Sequence, residues 1–378
     1  MLDNDDQLSK SLEKLSPATQ KALKAHAFDA TWLHAQAQRS RRGQASNTVS
    51  GVVEPLSSSD IQSIPEANTP EWKRLKAQGE EALSQGQCAL SVLAGGMATR
   101  MGGLIKALMP AVDGKSFLDL RLAEQTHLSK RYGKVPPLWL MTSHATHAGI
   151  ENELGKRLKS PHLALFKQGL SVRLDEEGKV FRTDSGEASL YAPGHGDFAP
   201  CLQRSGLLAS FVEEGGQYVL ATNLDNLGGG LDPVLIGMHL SNPQAVSCEV
   251  VDKWAGDRGG IPARLNQRPV ILEEFRLSEH FDPASVSVFN VNTFAFDASS
   301  LLQLTMNWTY FEVKKQVEGR PATQYERLIN EVTFALDTQF IRVPRQGAET
   351  RFCPIKDHDE LARRQSELHL LANARGML

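Results

Sequence analysis

No apolar run in the 378-residue chain approaches the roughly 20 residues that a helix needs to cross a bilayer, so no membrane partner is expected. An excess of charge of one sign is missing too. Lys and Arg number 41 against 44 Asp and Glu, a formal net charge of −3, which leaves no basic field to attract nucleic acid. The acidic opening Met1-Leu2-Asp3-Asn4-Asp5-Asp6 lacks an apolar core, so no secretory signal is expected. Cysteine is scarce: Cys88, Cys201, Cys248 and Cys353 stand far apart and form no Cys-x-x-Cys pair. That spacing argues against a disulfide framework or structural zinc and predicts reduced thiols in a cytoplasmic protein. Two phosphate-binding signatures are absent as well, the P-loop Gly-x-x-x-x-Gly-Lys-Ser/Thr and the dinucleotide fingerprint Gly-x-Gly-x-x-Gly. What remains, 41% hydrophobic and 22% charged residues, is the composition of an ordinary globular protein with room for more than one domain.

Helical spacing marks Ser11–Leu15 and Ala22–Ala37, and the basic run Arg39-Ser40-Arg41-Arg42 reads as a solvated surface. Turn formers in Val53–Ser59 predict a linker. Thr69-Pro70-Glu71-Trp72 then predicts a helix start, with Thr as N-cap, Pro in the first turn and an acid where the helix dipole favours one. Gly86 is its expected end. Beyond it, Cys88–Leu93, Leu138–Thr142 and Tyr218–Thr222 are short, almost continuous apolar runs, the pattern of strands buried on both faces. Helical segments separate them: one opens at Ser116 with Asp119 three residues on, a capping-box pair, and another opens at Asp232-Pro233. The alternation predicts an α/β fold with a mainly parallel sheet, and Val246–Val251 and Val286–Phe296 predict an antiparallel extension that makes the sheet mixed.

Three segments carry chemistry. Leu93-Ala94-Gly95-Gly96-Met97-Ala98-Thr99-Arg100-Met101-Gly102-Gly103 leaves the first buried strand where ligands bind in open α/β sheets. Its glycines let the backbone approach a phosphate or a base, and Arg100 and the following Lys106 offer cations to oxyanions. Tyr191-Ala192-Pro193-Gly194-His195-Gly196-Asp197 places an imidazole between two glycines, a turn whose backbone could press against a planar base. In Thr222-Asn223-Leu224-Asp225-Asn226, Asp225 at a strand end either holds a divalent cation beside phosphates or belongs to an ordinary Asp-Asn turn. His144 and His147 lack a third ligand, so no zinc site is expected there, and Glu213-Glu214 reads as a solvated helix end.

The glycine loop, Lys106 and Met109–Leu120 resemble the opening of the UTP–sugar-1-phosphate uridylyltransferases, most of all the eukaryotic UDP-glucose pyrophosphorylases. Ala98 departs from that pattern, which has glycine there, and Arg100 is more like the bacterial sugar nucleotidyltransferases. Gly194-His195-Gly196-Asp197 matches the glucose-type branch, and Asn223-Leu224-Asp225-Asn226 matches Asn-x-Asp-Asn. Further matches follow in the family's order: Lys167-Gln168 with Arg173, Gly259-Gly260, Leu272-Glu273, Phe289-Asn290-Val291-Asn292 and Arg351-Phe352-Cys353-Pro354-Ile355-Lys356.

The resemblance implies a Rossmann-like, GT-A-like nucleotidyltransferase core. It suggests a helical accessory segment over 1–85, a catalytic core over 86–310 and a segment over 311–378 that completes the active site. It implies Leu93, Ala94, Gly95, Gly96, Gln168 and Gly194 for the nucleotide, with Gln168 on the uracil edge, and Asp225 on both nucleotide and Mg²⁺. Lys106, Lys356 and Arg100 would act in catalysis, while His195, Asn223, Gly260, Glu273, Asn290 and Asn292 would bind the sugar phosphate. The eukaryotic enzymes add a C-terminal β-helix, and since Lys356 is close to the last residue, Leu378, none is expected here. The implied reaction is magnesium-dependent uridylyl transfer from UTP to a sugar 1-phosphate, glucose 1-phosphate first. Galactose or N-acetylglucosamine 1-phosphate, broad sugar specificity, and a non-catalytic UDP-sugar-binding regulator stay open as alternatives. A nucleotide-dependent oxidoreductase is disfavoured by the missing fingerprint.

Overall fold

The computed structural model describes residues 3–43, 47–98, 102–242 and 244–378. Its centre is an eight-stranded sheet in the order Ile61–Ser63, Thr338–Arg342, Val246–Asp252, Val288–Asp297, Tyr218–Asn223, Cys88–Leu93, Leu138–Thr142, Leu163–Lys167. Every strand but Val288–Asp297 runs in one direction. The expected mixed, mainly parallel α/β sheet is therefore present. The antiparallel strand sits inside the sheet, between Tyr218–Asn223 and Val246–Asp252, rather than extending its edge.

The continuous apolar runs have a direct physical cause. Cys88, Leu90 and Val92 point to one face with Leu138, Leu140, Tyr218 and Leu220, while Ala89, Trp139, Met141, Val219 and Ala221 point to the other. Both faces are covered by helices, so neither set of alternate side chains meets water. On the first face lie Pro70–Ser84, Phe117–Tyr132 and Gln365–Ala374, and on the second lie Phe198–Ser205 and Leu207–Glu213.

Local signals hold where the contacts are local. Thr69 caps Pro70–Ser84 by accepting the Trp72 N–H at 3.3 Å, and Gly86 follows its end at φ +77°. Ser116 and Asp119 form the reciprocal capping box, at 3.1 and 3.0 Å. Asp232 accepts two amides at the start of Pro233–Leu240. This helix crosses Pro70–Ser84 at backbone contact: a Cβ on Gly79 would lie 1.9 Å from Pro233 O, and one on Gly237 would lie 2.0 Å from Leu75 O. Glutamates 213 and 214 are exposed at a helix end, as expected.

Two expectations change. The helical stretch Ala22–Ala37 is broken into Pro17–Ala25 and Ala30–Arg41, because Ala27 turns at φ +51° and Asp29 caps the second helix through the Trp32 N–H. The linker Val53–Ser59 is instead anchored: Val53–Pro55 pairs antiparallel with Leu265–Ala263, and Asp60 binds Arg264, with Nε at 3.1 Å. Partners some 200 residues away leave no trace in local composition. All four cysteines are buried. No helix among the described residues is long and apolar enough to cross a membrane.

Candidate functional site

Because their strands are parallel, Leu93, Thr142, Lys167 and Asn223 all end at the same edge of the sheet, and the loops that leave them enclose a cleft of about 470 Å³. Leu93, Gly95, Gly96, Lys106, Gln168, Gly194, His195, Asn223 and Asp225 all line it, joined by Met97, Met141, Ala192 and Leu224. Residues spread over more than a hundred positions of sequence thus meet in one place. Ala94 is buried just behind, its N–H donating to Met141 O at 2.8 Å and its carbonyl accepting from Thr146 Oγ1 at 2.9 Å. Arg100 lies outside the described residues.

Gly95 is small for a reason on the opposite wall. A Cβ there would stand 2.4 Å from Gln168 Oε1, so the Gln168 amide occupies the space that a side chain would need. That amide donates from Nε2 to Gly194 O at 2.9 Å. The glycines around His195 make room for the backbone of Arg327–Leu328: a Cβ on Gly194 would lie 2.7 Å from Arg327 O, and one on Gly196 would lie 2.6 Å from Leu328 N. Gly194 also sits at φ +101°, which only glycine adopts without strain.

The crossing chain sets the chemistry of His195. The Ile329 N–H donates to Nδ1 at 3.0 Å, so Nδ1 is unprotonated and the proton of the neutral ring sits on Nε2. Burial pushes the imidazole down to about 4, which keeps it neutral at physiological pH. Behind it, Asp197 is fully buried, forms an ion pair with Arg327, and accepts the Gly169 N–H at 2.6 Å. Asp197 and Arg327 thus brace the histidine turn against the loop that carries Gln168. The sequence gives no local sign of this pair.

Opposite the glycine loop, Lys106 Nζ donates to Asp225 Oδ2 at 2.7 Å, and the same oxygen accepts the Ile355 N–H at 3.3 Å. Asn226 ties down the rest of that segment, donating from Nδ2 to Arg351 O at 3.0 Å and accepting the Cys353 N–H at 2.9 Å. Lys356 follows Ile355 directly but is exposed. It lines a second cleft, of about 610 Å³, with Trp254, Arg345, Phe352 and Arg363.

The remaining expected residues extend from Asn223. Its Oδ1 accepts from Asn292 Nδ2 at 2.8 Å, and the Asn292 N–H donates to Asn290 Oδ1 at 3.0 Å. Asn292 adopts φ +56° where the pairing with Val246–Asp252 shifts register, and asparagine tolerates that left-handed conformation. Gly260 packs beside Asn290 and Glu273: a Cβ on it would lie 3.2 Å from Asn290 Nδ2 and 3.1 Å from Glu273 Oε1. Glu273 accepts from Asn330 Nδ2 at 3.1 Å. Burial, then the neighbouring Glu274 and Glu331 carboxylates, push Glu273 up to about 7.

Chemically, the cleft offers a partly buried cation beside one carboxylate, a neutral histidine N–H and a fixed carboxamide over a glycine backbone. Among the described residues no group of three or more His, Cys, Asp or Glu side chains could hold a metal by itself. Asp225 still suits a hard cation that draws its other oxygens from phosphate and water, since Lys106 and the Ile355 N–H both engage Oδ2. His147 Nδ1 lies 2.9 Å from Thr142 Oγ1.

Comparison with known proteins bears on most of the chain. A curated relative from Musa acuminata, a UTP–glucose-1-phosphate uridylyltransferase, is 29% identical over 306 residues, covering 75% of this chain and 64% of its own length. UTP–glucose-1-phosphate uridylyltransferase 2 of Dictyostelium discoideum is 28% identical over 322 residues, covering 79% and 63%. The chain therefore spans less than two thirds of the length of these relatives. Among solved structures, a UDP-glucose phosphorylase from Trypanosoma brucei superposes with a TM-score of 0.75 at 20% identity, covering 94% of this chain and 78% of that one. A UDP-N-acetylglucosamine pyrophosphorylase from the same organism gives 0.74 at 19%, covering 95% and 81%. At such identities the superpositions establish the fold and do not separate one sugar from the other. The family model described as UTP–glucose-1-phosphate uridylyltransferase matches residues 44–377, from ahead of the first sheet strand to the final helix, and the chain belongs to that family.

Proposed function

We propose that this protein transfers uridylyl from UTP to glucose 1-phosphate, giving UDP-glucose and pyrophosphate. The observation that carries the reading is the Lys106–Asp225 pair, set at the carboxyl edge of a parallel sheet in a chain of this family. A phosphate oxygen of the sugar 1-phosphate attacks the α-phosphorus of UTP. The bond from that phosphorus to the bridging oxygen breaks in line, and pyrophosphate leaves. The attacking phosphate monoester is already anionic near neutral pH, so no general base is required. The protein's task is to align two anions and offset their repulsion.

In this reading Gln168, with the backbone of Ala94, Gly95, Gly96 and Gly194, holds the uridine. Lys106 offsets phosphate charge in the cleft, whereas Lys356 lines the second cleft and is given no part in the transfer. His195 donates its Nε2–H to the sugar phosphate, and Asn223, Asn292 and Glu273 meet the sugar hydroxyls. Asp225 would hold Mg²⁺, which supplies charge neutralisation on the phosphates when bound. The contact of Lys106 with Asp225 supports this reading, since it sets the ammonium beside the carboxylate that would hold the cation. We place the reaction in the cytoplasm.

The test is incubation of the purified chain with UTP, Mg²⁺ and a panel of sugar 1-phosphates, following pyrophosphate release. Release with glucose 1-phosphate well above galactose or N-acetylglucosamine 1-phosphate is the expected result, and chelation of Mg²⁺ abolishes it. Binding of UTP or UDP-glucose without release from any sugar would replace this reading with that of a UDP-sugar-binding regulator.

A further inference from the structure

The backbone and side chain of Gln168 are held from four sides. Its N–H donates to Thr142 O at 2.8 Å, its side chain donates to Gly194 O at 2.9 Å, and the next amide, on Gly169, donates to Asp197 Oδ2 at 2.6 Å. Those three partners belong to the sheet edge and the histidine turn. The fourth does not. The Gln168 carbonyl lies 2.8 Å from Nδ1 of His26, in the N-terminal helices. A carbonyl oxygen only accepts, so His26 Nδ1 carries the proton and donates.

His26 is itself fixed. It ends the helix Pro17–Ala25, its N–H bonding the Ala22 and Leu23 carbonyls at 3.2 and 3.1 Å. Leu8, Leu23 and Leu33 of the three N-terminal helices share one buried cluster with Leu170, Val172 and Leu174, the residues that follow Gln168 in the chain. The ring of His26 also meets the edge of His144, with centroids 6.0 Å apart. His144 lines a small cavity of about 230 Å³ that shares Gly95, Met97 and Ala192 with the main cleft. The N-terminal helices therefore meet the wall of the cleft at the carbonyl of Gln168, a residue that lines the cleft.

We infer that His26 is a positioning residue for nucleotide-base selection, and that through it residues 3–43 brace Gln168 in the geometry that accepts uracil. The inference rests on the uridylyltransferase reading. Without the donor, the Gln168–Gly169 peptide keeps only its N–H bond to Asp197, so it can tilt about that bond and carry the carboxamide of Gln168 with it. Turnover should change little, because the Lys106–Asp225 pair stands on other elements.

The test uses the full chain with His26→Phe, which keeps ring volume without the donor, and His26→Gln, whose amide N–H can reach the same carbonyl. Pyrophosphate release is measured against UTP and CTP concentration. His26→Phe should raise KM for UTP about fivefold and narrow the preference for UTP over CTP similarly, with kcat within about twofold of wild type. His26→Gln should restore both values. A lower melting temperature with unchanged KM and unchanged base preference in His26→Phe would reduce His26 to a structural role and overturn the inference. A wild-type chain that binds no uridine nucleotide would instead overturn the uridylyltransferase reading and take the inference with it.

Discussion

Lys106 Nζ and Asp225 Oδ2, 119 residues apart in sequence, stand 2.7 Å apart at the floor of the cleft. Lys106 follows the short strand Leu104–Ile105 of a separate two-stranded ribbon, Asp225 follows the parallel strand Tyr218–Asn223, and each is only partly exposed, at 19% and 15% of the side chain. The pair fixes a cation and an anion side by side in the cleft, the kind of preorganisation that the proposed phosphoryl chemistry needs.

Lys106→Ala should therefore lower turnover about a hundredfold while changing KM for UTP much less, since the lost charge acts where charge develops during transfer. Steady-state kinetics of pyrophosphate release check this. Unchanged kinetics would refute the role given to Lys106.

Gly95→Ala would place a methyl group 2.4 Å from Gln168 Oε1, and the carboxamide must move away. Affinity for UTP should fall about tenfold, on the scale of a displaced polar group, as read by titration calorimetry. Gly96→Ala separates crowding of the cleft itself from displacement of Gln168. A Cβ there meets nothing within 4 Å, so the fold and the seat of Gln168 should both persist.

Gly79→Ala separates propensity from packing. Alanine is the better helix former, by about 1 kcal/mol, but its methyl group would strike Pro233 O at 1.9 Å in the neighbouring helix. The clash should win, with a net loss of about 1–3 kcal/mol in urea unfolding. An increase in stability would mean that the two helices can part without cost.

His239 is pushed down to about 4 by burial, and its Nδ1 lies 2.7 Å from Ser247 Oγ. The unfolded chain binds this proton below about pH 6.5 while the folded chain refuses it until about 4. Its contribution to stability is thus complete above pH 6.5 and is lost as pH falls towards 4. His239→Gln should show a shallower loss of urea midpoint than wild type across that window.

Glu273 carries the opposite sign. Its folded-state value of about 7 lies above the ordinary carboxylate range, so it favours the fold fully below about pH 4.5 and loses that contribution as pH rises through 7. Glu273→Gln keeps an acceptor for Asn330 and removes the charge. The variant should gain stability relative to wild type at pH 8 but not at pH 4.5, and equal differences at both would contradict the assignment.

Much was legible from residue order alone wherever a pattern answers to its own neighbours. The caps at Thr69, Ser116 and Asp232 depend on atoms three residues away, and Cys88–Leu93 advertises its two buried faces through six consecutive residues. The glycine loop, His195 and Asp225 were visible because motifs of strand-end loops are contiguous in sequence. What the tertiary structure decided is what crosses between distant segments: the strand Val53–Pro55 in place of a linker, the antiparallel strand inside the sheet, the Asp197–Arg327 brace and the contact of His26 with Gln168. It also supplied the reason for Gly194 and Gly196, whose missing side chains admit the backbone of Arg327–Leu328. A glycine records that space is short at its position, and only the folded chain shows which atoms take it.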